Sequence, residues 1–252
     1  MSTRERHTIE ADRRMLLKLA GIGLGVAALP SEASAQEDAP PAAGHAMPEA
    51  APSTSPSSPP PAGYLFLNAD EAAFVEAFAD TLIPEDEYGP AGTELGVATF
   101  VDRQLYSGYG QGDRMYLQGP FYEGTPEQGY QMPLTPAELV RAGIADVNAH
   151  VAKTFGGNSF DLLQPADRVK VVTALEKDEI ALSSVPTHAF FEVLFQLAMD
   201  GFFADPIYGG NKGKASWKML GYPGVGQMYA DKIAQWRNKP FRAEPQSIQD
   251  LA

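Results

Sequence analysis

The 252 residues include 19 Lys and Arg against 32 Asp and Glu, a formal net charge of −13. That excess of acid excludes the electrostatic footprint of a nucleic-acid binder and a polybasic membrane anchor. The chain has no cysteine, which excludes disulfides, thiol nucleophiles, iron–sulfur ligation, thioether-linked haem and Cys-rich zinc sites.

Four histidines, His7, His45, His150 and His188, leave any metal or haem site to lean on carboxylates or one or two histidines. The length fits one domain or at most two, and a hydrophobic fraction of 44% is enough for a core. The 24 glycines and 21 prolines predict long irregular stretches beside the folded part.

Residues 1–35 read as an export signal. A charged start, Arg4 to Arg14, leads to a twin arginine in the run Asp12-Arg13-Arg14-Met15-Leu16-Leu17-Lys18. An apolar stretch from Leu19 to Leu29 and an Ala33-Ser34-Ala35 cleavage site follow, so a mature chain would begin near Gln36. The apolar stretch is shorter than the about 20 residues of a membrane-spanning helix, and Gly21, Gly23 and Gly25 dilute it. The order of Arg13, Arg14 and Lys18 resembles a twin-arginine (Tat) signal, with Asp12 where Ser or Thr is usual. That route exports proteins already folded, commonly with a cofactor inserted. The chain carries no cofactor motif of its own, so the reading implies a folded partner travelling with it. Residues 36–63 hold eight prolines among Ala, Ser and Thr and read as a disordered, semi-stiff tether.

Residues 64–252 are expected to form a mainly α, single irregular helical domain with long Gly/Pro-rich loops. A first helix starts at Asn68, with Glu71 completing a capping box and Phe74, Val75, Phe78 and Leu82 on one face; Pro84 ends it. A second spans about Glu94 to Tyr106, with Val97, Phe100, Val101 and Leu105 inward. Residues 107–134, rich in Gly, Tyr and Pro, show no period and read as a long ordered loop, a length that suggests function. A third helix is capped by Thr135, with Pro136 at the first helical position and Glu138 closing the box. Its stripe is Val140, Ile144, Val147 and Val151, and Gly156-Gly157-Asn158 stops it. A fourth opens at Pro165 and buries Val169, Val172 and Leu175. The fifth, about Thr187 to Met199, is apolar over a wide arc and reads as central. A last helix spans Gln227 to Trp236.

Few constellations carry chemistry. His188 and Glu192 share a helix face at i and i+4, but two ligands without a third read as a surface pair. Asp102-Arg103 with Glu94 reads as a solvated helix face or an intersubunit salt bridge rather than an acid/base cluster. G-x-S-x-G, H-E-x-x-H, G-x-G-x-x-G and P-loop patterns are all missing. The segment from Asp200 to Asn211 stands out: aromatics with Gly, Asp and Asn make a rigid, polar-edged loop that docks a partner, lines a pocket or closes the fifth helix.

A series of short stretches then points to a family. In order they are Ala79-Asp80-Thr81-Leu82-Ile83-Pro84, Gly89-Pro90-Ala91-Gly92 with Glu94-Leu95-Gly96-Val97, and Phe100-Val101-Asp102-Arg103-Gln104-Leu105. Gly119-Pro120-Phe121, Gly129-Tyr130-Gln131 and Leu134-Thr135-Pro136-Ala137-Glu138-Leu139 follow. The run from Gly201 to Asn211 is the strongest, with Trp217 and Gly221-Tyr222-Pro223-Gly224 after it. Over residues 66 to 224 the chain resembles the gluconate 2-dehydrogenase subunit 3 family, the small (gamma) subunits of bacterial flavin-dependent sugar dehydrogenases.

The resemblance implies a non-catalytic subunit with no cofactor of its own. Its partner would be a large FAD-dependent flavoprotein of the glucose-methanol-choline type, sometimes with an iron–sulfur cluster, in a gluconate, glucose, fructose or glucoside dehydrogenase. A multihaem cytochrome c often completes such complexes. The small subunit carries the Tat signal, engages the Tat translocon and escorts the flavoprotein to the periplasm, where the complex lies peripheral to the inner membrane. The contact candidates are Phe202, Phe203, Asp205, Pro206, Tyr208, Asn211 and Trp217, with Phe121 and Tyr130 from the long loop. The alternatives are a free-standing periplasmic sugar-binding protein and a carboxylate/His-dependent enzyme.

Overall fold

The computed structural model describes residues 63–251 apart from Glu123, Pro126 and Glu127, and only the backbone of Gln227 and Met228. The expected export signal and the tether up to residue 62 lie outside the described residues. Those described contain seven α-helices and no strand, only two isolated bridges.

Helix α1 (Ala69–Leu82) begins with the expected capping box: the Asn68 side chain accepts from the Glu71 amide, and the Glu71 carboxylate accepts from the Asn68 amide, both at 2.9 Å. Phe74, Val75 and Phe78 on its inner face are buried. Helix α2 (Val97–Tyr106) starts three residues later than the sequence suggested. Gly96 enters it at φ +80°, with its Cα against the Gly209 carbonyl, where no side chain fits. Helix α3 (Pro136–Thr154) has the Thr135/Glu138 box and buries Val140, Ile144, Val147 and Val151.

Helix α4 (Pro165–Glu176) is rotated relative to the expected stripe. Val171, Val172 and Leu175 are buried, whereas Val169 is exposed. The pattern was ambiguous because Val169, Val171 and Val172 are three near-equivalent apolar residues; packing on α1 selects the last two.

Helix α5 (Thr187–Phe203) is the centre of the domain and packs on α2, α3 and α4. It runs past the expected end at Met199 and takes in Gly201, Phe202 and Phe203. The helix continues through Gly201, whose bare Cα lies against the Phe100 side chain of α2, where an added methyl would be tight. Gly143 of α3 does the same against Phe190. Phe74, Phe78, Phe160, Phe190 and Phe202 are fully buried, each worth about 1.5–3 kcal/mol of transfer free energy.

Ala is the better helix former by about 1 kcal/mol. Gly143→Ala should nonetheless lower stability, by about 1–3 kcal/mol, because the added methyl falls inside the Phe190 ring. Denaturant melts of the two proteins check this; a stabilised variant would mean that α3 and α5 can separate at no cost.

Beyond α5 come a 3-10 turn (Pro206–Tyr208), helix α6 (Ala215–Leu220), a 3-10 stretch (Gly226–Lys232) and a short helix α7 (Ile233–Trp236). The last expected helix is thus mostly 3-10. The C-terminal strap returns to the body: the Val225 amide donates to the Gln246 carbonyl at 2.9 Å, and the Ile248 amide to Asp205 at 2.8 Å.

Candidate functional site

Several acidic residues of the domain hold backbone. Asp102, read from sequence as solvated or intersubunit, is fully buried. Its carboxylate accepts from three consecutive amides, those of Leu65, Phe66 and Leu67, at 2.8–2.9 Å. The sequence misled because the residues preceding α1 carry no sign that their amides lack partners.

Arg141 of α3 completes this clamp. Its Nε lies 2.7 Å from Glu71, an Nη donates to the Phe66 carbonyl at 3.2 Å, and the guanidinium stacks 4.0 Å from the Phe66 ring centroid. Tyr64 donates to Glu76 at 2.5 Å, and burial, with Glu76 beside it, pushes its hydroxyl pKa up. Asp80 accepts from the Thr93 amide, and Asp146 from the Ser184 amide.

His188 and Glu192 form an exposed surface pair at 3.2 Å. Among the described residues no group of three or more His, Asp and Glu could hold a metal ion.

The segment from Asp200 to Trp217 splits into an inner and an outer set. Phe202, Asn211 and Trp217 are buried, so they do not present surface to a partner as the sequence suggested. They close the C-terminal end of α5 instead. Asn211, at φ +47°, donates to the Ala204 carbonyl at 2.9 Å and accepts from the Ser216 amide at 3.0 Å. The Trp217 indole donates to the Phe203 carbonyl at 2.8 Å, and Phe202 meets Phe203 edge to face. A rigid hydrogen-bonded core of this kind explains why such specific residues stand in an irregular stretch.

Phe203, Asp205 and Pro206 are half-buried. Asp205 caps the 3-10 turn through the Ile207 amide while also holding Ile248. Tyr208 and Ile207 face outward, the former half exposed.

The long loop supplies a second outward set. Phe121 and Tyr130 are half-buried. The Tyr130 hydroxyl donates to the Leu134 carbonyl at 2.5 Å, and burial first, then Glu138 and Tyr109, push its pKa up to about 12. Tyr106, Tyr109, Tyr116 and Tyr122 are exposed; none was singled out from sequence, although five tyrosines between residues 106 and 130 were a compositional signal. At the start of this loop partial burial, and behind it the charge of Asp200, raise the Tyr109 pKa. The loop is fixed to the body there: the Gly110 amide donates to the Gln104 carbonyl, and the Ala137 amide to the Gly110 carbonyl, both at 3.1 Å.

Exposed tyrosines such as these provide contact area at low entropic cost, which suits a chain that works within a complex. Residues 69–224 match the family described as Gluconate 2-dehydrogenase subunit 3, and the chain belongs to that family. It is accordingly a small subunit of an oxidoreductase complex and has dehydrogenase partner subunits. No curated protein and no solved structure matches it.

Proposed function

We propose that the chain is the non-catalytic small subunit of a periplasmic, FAD-dependent sugar or sugar-acid dehydrogenase. In this reading Arg13, Arg14 and Lys18 belong to a Tat signal that exports the chain together with its flavoprotein, of the glucose-methanol-choline type. The subunit acts as export escort and stabilising partner, and a multihaem cytochrome c completes the electron path. The observation that carries the reading is the family match over residues 69–224. The exposed tyrosines of the 107–134 loop, with Tyr208 and Ile207, are the proposed contact surface.

The flavin, and any iron–sulfur cluster, belongs to the partner in this reading. The described residues contain no strand, and so no glycine-rich strand-to-helix turn of the kind that cradles a dinucleotide pyrophosphate.

The test is a tagged pull-down of the full chain from periplasm, with an absorbance scan of the eluate. A copurifying yellow protein bleached by a sugar is expected. Arg13→Lys with Arg14→Lys should leave that flavoprotein in the cytoplasm. A colourless protein that elutes alone would overturn the reading.

A further inference from the structure

The charge of the chain is strongly segregated. Residues 63–205 carry 7 Lys and Arg against 22 Asp and Glu, whereas residues 206–252 carry 7 against 3. The whole-chain value of −13 therefore conceals a basic C-terminal end.

That end is also apolar at its surface. Tyr229, Ile233 and Trp236 follow one another at i, i+4 and i+7 along the 3-10 stretch and α7. Phe241 folds back between Tyr229 and Trp236, with ring centroids 5.2 Å from each. Together with Lys232 and Arg237 these residues line an open cleft of about 270 Å³. Ile233 is 66% exposed and Trp236 37% exposed. Lys232, Arg237, Lys239 and Arg242 are exposed around them, and Lys232 lies 5.4 Å from the Tyr229 ring centroid.

We infer that this C-terminal face docks directly on an anionic phospholipid bilayer. Trp, Tyr and Ile flanked by Lys and Arg match the headgroup–hydrocarbon boundary, where rings and aliphatic stems enter the apolar side and cations meet phosphate. Protein interfaces are depleted in lysine, which argues against a protein occupant for Lys232 and Lys239. Charge fixes the orientation: the acidic body is repelled by an anionic surface, so the basic end leads. No helix among the described residues is long and apolar enough to span a membrane, so the contact is peripheral. The inference does not depend on the dehydrogenase partner.

Trp236 provides the test. The chain has two tryptophans, and Trp217 is buried. The full chain is mixed with phosphatidylcholine vesicles containing about 30 mol% phosphatidylglycerol, enough for a substantial negative surface potential, whose acyl chains are brominated to quench tryptophan. Reading emission at Trp236 separates this contact from any binding by the apolar stretch at residues 19–29. Quenching should appear with these vesicles, weaken with salt, and be small with phosphatidylcholine alone. Lys232→Gln, Arg237→Gln and Lys239→Gln together should lower the partition coefficient about a hundredfold. Trp236→Phe should abolish the quenching and leave vesicle sedimentation in place. The proposal fails if there is no quenching, if both vesicle types quench equally, if the triple variant binds like the parent, or if quenching survives Trp236→Phe. The same triple variant in the flavoprotein pull-down reads the dehydrogenase proposal separately.

Discussion

Asp102→Ala is expected to lower stability by about 4 kcal/mol, because it strips three backbone amides of their acceptor at once. Asp102 is fully buried, and the amides of Leu65, Phe66 and Leu67 converge on its two oxygens. Leu65 is half exposed, so water can recover part of the loss at that position; Leu67 is fully buried and cannot recover it. A drop of this size corresponds to about 10 °C in Tm for a domain of this length. Asp102→Asn should cost less. Its remaining oxygen can keep the Phe66 and Leu67 amides, but its NH2 would face the Leu65 N–H, donor against donor. Thermal melts with hydrogen exchange at residues 65–67 check this. Melts that match the parent, with the amides still protected, would show that the clamp contributes nothing.

Arg141→Ala should be comparably damaging, at about 3–5 kcal/mol, because it leaves a buried carboxylate without its counter-charge. The side chains of Arg141 and Glu71 are only 14% and 8% exposed. Glu71 would keep the Asn68 amide at 2.9 Å but lose the guanidinium at 2.7 Å. Arg141→Met combined with Glu71→Gln should be much milder, because no charge is then stranded. Arg141 and Asp102 hold the carbonyl and the amide of the same residue, Phe66. Their losses should therefore combine non-additively, which a double-mutant cycle on Asp102→Ala and Arg141→Ala would measure. Strict additivity would mean that the two grips act independently.

These two residues show where local sequence reading stops. Asp102 sits on a helix between Val101 and Arg103 and looks like any solvated helical acid. Its three partners lie 35 to 37 residues earlier, in a stretch with no period. Nothing local predicts that contact; it exists because α2 and the residues before α1 are brought together. The capping boxes at Asn68/Glu71 and Thr135/Glu138 were legible because both partners lie within one turn.

The contact candidates divide along the same line. Phe202, Asn211 and Trp217 read from sequence as contact candidates, but in the structure they are buried and form an internal lock. Residue type alone does not tell a lock from a dock, because aromatics and Asn suit either task. Burial decides between them, and burial is a property of the packed structure. The exposed tyrosines of the long loop pose the reverse case: in a stretch without a period, sequence has no face on which to place them.

The sequence alone determined the helical character, the helix starts that carry caps, the Gly/Pro-rich irregular segments and the family. Each of these rests on residue type, on neighbours within a turn, or on short stretches in order. The tertiary structure decided which valines of α4 face inward, that α5 continues through Gly201, that Asp102 is a clamp, and that apolar surface coincides with the basic end. Each of those depends on contacts between residues far apart in the chain, whose energies exist only once the helices have packed.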